Sequence, residues 1–201
     1  MPRQPLHDRQ SSLSRAVDIF WAQGFHATSL KDLERALDMR PGSIYAAFGS
    51  KKGLFNEALD RYAEQGLKAL EDQLEAYASP LEGLAAYVRS LGGLHDQAIP
   101  SRACLLVKSV LELGARESVA RDRADALLAG MEERFVEGFR DAQAAGELLP
   151  GSDPTQLGRR LQAEVMGLRA YAQRSVTRAA VRELADDMAA SIIDRRVHID
   201  Y

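Results

Sequence analysis

At 201 residues, with 46% hydrophobic and 27% charged residues, the chain holds material for one or two small domains with a sizeable core. It has no run of about 18 apolar residues, so no membrane-spanning helix is predicted. The polar start MPRQPLHDRQ lacks an apolar signal segment, and a cytoplasmic location is expected. The one cysteine, Cys104, excludes an internal disulfide framework. The net charge of -3 is uneven: residues 1–55 carry +3 and the remainder -6, a modest basic head on an acidic body.

Helical periodicity recurs almost from end to end. Leu13, Ala16, Val17 and Phe20 share a face, and Gly24 closes that helix. Leu30, Leu33 and Leu37 mark a second helix behind a Ser29…Asp32 capping pattern. A short third helix runs from Pro41 to Phe48, stopped by Gly49, and Ser50 caps a fourth from Lys51 to about Tyr77. Ser79-Pro80 opens a fifth. Pro100-Ser101 is placed to start a sixth, through RACLLVKSVLEL. A long amphipathic helix is predicted over 118–145, with Leu128, Met131, Phe135 and Phe139 in line, and Gly146 and LLPGSDP end it. The last two helices, about 154–174 and 177–195, carry the stripes Leu157, Leu161, Val165, Leu168 and Val181, Leu184, Met188, Ile192. No β-alternation or internal repeat is present. The expected fold is all-α with about nine helices, an N-terminal helix-turn-helix domain over 1–55 and a helical domain over 56–201.

Residues 12–55 read as a DNA-reading unit. A helix as short as 41–48 cannot stand alone, and two preceding helices are there to hold it out for docking. Phe20, Trp21 and Phe25 supply bulk for a small core. Thr28 and Ser29 bring hydroxyls to the start of the second helix, where unpaired amides suit phosphate. Arg40, Gly42, Ser43, Ala46 and Ala47 are small or polar, as base edges in the major groove require. Tyr45 can reach a phosphate or pack in the core. Lys51 and Lys52 stand where the fourth helix begins. Arg3 and Arg9 are the cations available to an N-terminal arm in the minor groove.

These residues resemble the TetR/AcrR family of bacterial transcription regulators. Gly24-Phe25 and Thr28-Ser29 match the family's end of the first helix and opening of the second. Ser43, Tyr45, Phe48, Ser50, Lys51 and Leu54 match its signature into the fourth helix. Many members carry His or Tyr where this chain has Ala47. The close resemblance covers about 45 residues; beyond them only helix number and length agree. It implies a homodimer built on the last two helices, double-stranded operator DNA as partner, and a small-molecule effector pocket in the body whose filling relieves repression.

Small residues on the last two helices, Gly158, Gly167, Ala185 and Ala189, would permit close approach at a dimer seam, although the same stripes also suit an internal core. An effector pocket is expected between the fourth, fifth, seventh and eighth helices, with Tyr62, Tyr87, His95, Cys104, Lys108 and Tyr171 as candidate lining. Cys104 has two readings. It is a small buried hydrophobe, or a thiolate sensor favoured by Arg102, Lys108 or a helix N-terminus. Four scattered histidines, His7, His26, His95 and His198, lack metal-ligand spacing, so neither a metal nor a cofactor is expected. The chain has no phosphate-binding loop, HExxH, dinucleotide fingerprint or serine elbow, which leaves an all-α enzyme or a helical adaptor without DNA affinity as the alternatives to a regulator.

Overall fold

The computed structural model describes residues 6–197, with side chains from Arg9 onward. Arg3 and His198 lie outside the described residues, as does the side chain of His7. Nine α-helices are present among the described residues: α1 Leu6–Gln23, α2 Leu30–Leu37, α3 Pro41–Phe48, α4 Lys51–Ala76, α5 Pro80–Leu91, α6 Leu105–Glu112, α7 Ser118–Ala144, α8 Pro154–Ala172 and α9 Arg178–Ile193, with a short 3-10 turn at Ala115–Glu117. None is long and apolar enough to cross a membrane.

The chain forms two compact units that interleave along the sequence. One contains residues 1–65 and 104–128, the other 66–103 and 129–201. A cut at residue 55 therefore misses 104–128, whose Leu105, Leu106, Leu113, Ala120 and Ala124 are buried with the apolar residues of α1–α4.

In the first unit, Phe20 is fully buried, 4.9 Å edge-on to Phe55 and 6.5 Å from Phe25. Leu33, Leu37, Ile44 and Phe48 complete this core from α2 and α3. The helix punctuation is local. Ser29 and Asp32 form a full capping box, Asp38 ends α2 at φ 53°, and Gly49 ends α3 at φ 74°. A cap of this kind is worth about 0.5–2 kcal/mol.

In the second unit, α5 packs on α9 and α8, and eight of its twelve residues are buried. The stripes of the last two helices serve this internal core: Leu157, Leu161, Val165, Leu168, Val181, Met188 and Ile192 are all buried, and within the two stripes only Leu184 is exposed. Gly158 lies against Val136 of α7, where a Cβ would come within 2.8 Å of backbone nitrogen. Ala185 and Ala189 are fully buried. Of the four small residues expected at a seam, only Gly167 faces open space. The end of α7 and the tail after α9 pair: Leu148 bridges Arg196, Leu149 N–H donates to Arg195 O, and Val197 N–H donates to Glu147 O. The Glu147 carboxylate accepts from Ser79 Oγ at 2.9 Å and Leu81 N–H at 3.1 Å, closing the start of α5.

α6 begins at Leu105 rather than at Pro100-Ser101. The cause is Gln173: its side-chain oxygen accepts from Ser101 Oγ (3.0 Å), Arg102 N–H (2.8 Å) and Ala103 N–H (3.2 Å). Those amides are satisfied outside a helix, so the first turn starts after them.

Candidate DNA interface

α3 has a buried side and an open side. Ile44 and Phe48 anchor it at 0% and 6% exposure. Arg40, Gly42, Ser43, Tyr45 and Ala46 are exposed, and Ala47 is half-buried at the edge. Arg40 is the extended N-cap residue and Pro41 sets the first helical φ. Nothing lies within 4 Å of where a Cβ on Gly42 would stand, so backbone can approach a partner there. Tyr45 is 46% exposed, which removes the core-packing alternative for its ring.

Beside α3, an open groove is lined by Lys31, Glu34, Arg35, Asp38, Met39 and Arg40. Lys31 and Arg35 lie at i and i+4 on the exposed face of α2, opposite Leu33 and Leu37. Sequence reasoning passed over them, although the apolar stripe of α2 already implied which residues face away from it.

Two expected contacts at the start of α2 are placed differently. Thr28 is fully buried, and its Oγ1 donates to Gly24 O at 2.7 Å, so this hydroxyl closes the α1–α2 turn instead of facing outward. Ser29 is exposed, but its N–H already donates to the Asp32 carboxylate at 2.9 Å. Bonding to the Ser29 hydroxyl and amide holds the Asp32 carboxyl below its ordinary range. The helix's own carboxylate therefore occupies the place where a phosphate was expected.

The cations at the other end are also engaged. Lys51 Nζ lies 4.3 Å over the Phe25 ring, and burial pushes its ammonium below the ordinary lysine range against the pull of Glu112. Lys52 Nζ donates to Arg116 O at 3.0 Å and lies 3.7 Å from Glu117. Arg9 sits within α1, not on a free arm. It pairs with the Glu57 carboxylate at 2.7 Å, donates to Ala47 O at 3.3 Å and covers the Phe48 ring at 4.7 Å, pinning the end of α3 to α4.

The six candidate effector residues divide between the units. Tyr62, Cys104 and Lys108 belong to the first; Tyr87, His95 and Tyr171 belong to the second. Tyr62 meets Trp21 edge-on at 5.0 Å. Tyr87 is buried, 5.7 Å from Phe135. His95 Nε2 is 2.7 Å from Ala172 O, and Arg174 lies over the Tyr171 ring at 5.3 Å. Cys104 is the half-buried N-cap of α6. Lys108, expected to favour a thiolate there, instead donates to Trp21 O. No group of His, Cys, Asp and Glu among the described residues could hold a metal ion.

A short helix held out by two others, with a small-residue face and flanking cations, defines a helix-turn-helix reading head joined to an all-helical body. Comparison with known proteins agrees. The family model for bacterial regulatory proteins of the tetR family matches residues 13–58, and that for the tetracyclin repressor-like C-terminal domain matches residues 80–188. The chain belongs to the TetR family. The HTH-type transcriptional repressor ComR of Escherichia coli K12 is 29% identical over 187 residues, 91% of this chain and 88% of that protein. A cysteine-substituted CifR, solved with 26-bp double-strand operator DNA, is 32% identical with a TM-score of 0.85, covering 95% of this chain and 99% of its own. Reduced E. coli NemR shares the fold at a TM-score of 0.79 and 19% identity, over 97% of this chain and 100% of that one.

Proposed function

We propose that the chain is a cytoplasmic, homodimeric repressor that binds double-stranded operator DNA through α3 and is released by an effector or by modification of Cys104. The observation that carries the DNA reading is the open face of α3, with Arg40, Gly42, Ser43, Tyr45 and Ala46 outward over buried Ile44 and Phe48. Gly42, Ser43, Ala46 and Ala47 allow close approach to base edges. Tyr45 and Lys51, joined by Lys31 and Arg35, supply backbone-phosphate donors. CifR's capture with operator DNA and ComR's designation as a repressor support this use of the fold. In this reading residues 1–55 form the reading head, 56–201 serve effector binding and dimerisation, and residues 104–128 pack with the head. The effector would bind among α4, α5, α7 and α8, with Tyr87, His95 and Tyr171 the candidate contacts from the second unit. Cys104, half-buried at the N-cap of α6, is the candidate site of modification.

The test is a substitution panel on a duplex that the wild-type protein enriches from a genomic fragment library. Tyr45→Phe and Lys51→Ala should each weaken binding with helical content unchanged, and Lys51→Ala should lower the salt slope by about one. Arg40→Ala should relax sequence preference by about 1–3 kcal/mol at one position. Wild-type binding by all three variants would remove this surface from DNA recognition. For the sensing arm, wild type and Cys104→Ser are compared on the same duplex before and after a mild electrophile. An equal response of the two proteins makes Cys104 structural.

A further inference from the structure

The turn between α1 and α2 is gripped by residues far away in sequence. Lys108 Nζ donates to Trp21 O at 2.6 Å and to Ala22 O at 3.4 Å. The Glu112 carboxylate accepts from His26 N–H at 2.8 Å and from Phe25 N–H at 3.3 Å. Positions four apart share one face of a helix. One face of α6 thus presents a cation to the last carbonyls of α1 and an anion to the first amides of the turn. Each charge has the sign that its backbone groups attract. Gly24 makes the fit possible: its φ is +84°, and a Cβ there would stand only 2.4 Å from Glu112 Oε2. The same turn continues through buried Thr28 into the Ser29–Asp32 capping box that starts α2.

We propose that Lys108 and Glu112 are positioning residues for sequence-specific DNA reading. They set the turn from which α2 and α3 hang and do not touch DNA themselves. The inference rests on the DNA-binding function above. Non-specific binding depends on the number of phosphates neutralised. Base reading depends on where the reading helix stands. Loosening the latch should therefore lower specific affinity and leave non-specific affinity and the salt slope in place.

The experiment measures binding of wild type, Glu112→Ala, Glu112→Gln and Lys108→Met to two duplexes of equal length: one enriched by the wild-type protein from a random pool, and its scrambled counterpart. Thermal melts establish folding. Glu112→Ala is expected to lose about tenfold or more on the enriched duplex, within the 10³–10⁷ range that separates specific from non-specific binding, and to stay near wild type on the scrambled one. Glu112→Gln, which retains an acceptor oxygen, should fall between. Amide exchange at Phe25 and His26 should accelerate in Glu112→Ala. If wild type enriches no duplex, the DNA-reading function falls and the latch with it. If wild type enriches one and folded Glu112→Ala matches it on both duplexes, or loses both in parallel, the positioning role alone is overturned. Should Glu112→Ala fail to fold, Glu112→Gln and Lys108→Met are judged by the same ratio.

Discussion

Replacing Phe20 with alanine is expected to destabilise the first unit by about 3–5 kcal/mol, the range for truncating a buried aromatic. The ring has no exposure and holds Phe55 and Phe25 together at 4.9 and 6.5 Å. Against a typical domain stability of roughly 5–15 kcal/mol this is about a fifth or more. The loss should be regional, because the apolar cores of the two units are separate clusters. Trp21, the one tryptophan of the chain, packs on Tyr62 within the first unit and reports on it selectively. In urea, Trp21 fluorescence of Phe20→Ala should change well before the wild-type midpoint, and DNA binding should fall with it. A tryptophan transition that coincides with wild type would show that Phe20 does not support this core.

Glutamate at two leucines of the last helices should give opposite results. Leu161 is 2% exposed within the second unit's core, so Leu161→Glu buries an unpaired carboxylate and should leave that unit unfolded or the protein insoluble. Leu184 is 36% exposed on α9. Leu184→Glu should keep full helical content while weakening the proposed dimer. Two linked heads bind about 10²–10⁴ times more tightly than one, so DNA affinity should fall by about 100-fold or more. Sedimentation at micromolar concentration, alongside circular dichroism, separates the outcomes. A Leu184→Glu protein that remains a dimer with wild-type DNA affinity places the seam elsewhere.

The sequence carried the helices well because their ends are marked by local chemistry. Ser29 with Asp32, Arg40-Pro41, Ser79-Pro80, Asp153-Pro154 and Thr177 all stand at observed starts. The exposed face of α3 was legible for the same reason, since Ile44 and Phe48 are its large apolar residues and the rest must face away. What escaped was set by distant partners. The start of α6 depends on Gln173, the role of Arg9 on Glu57, and the shape of the α1–α2 turn on Glu112, 86 residues from His26. Periodicity shows that Leu157, Leu161 and Leu168 share a side of α8, but not whether that side meets its own unit or a second copy; here it meets its own unit.

Because the two units alternate along the chain, neither can be completed in one uninterrupted stretch of synthesis. The head's core needs Leu105 to Ala124, so residues 1–65 emerge from the ribosome without the segment that finishes it. α5 waits longer still. Its eight buried residues meet Leu74 of α4 and Phe135 of α7 early, but the α8 and α9 side is covered only when those helices follow, and the pairing of Glu147–Leu149 with Arg195–Val197 closes the unit only after residue 197 has been made. At about 5–20 residues per second, that leaves one side of an apolar helix uncovered in the nascent chain for on the order of 10 s. A chain stalled before α8 would therefore present that side of α5 as an apolar surface open to aggregation.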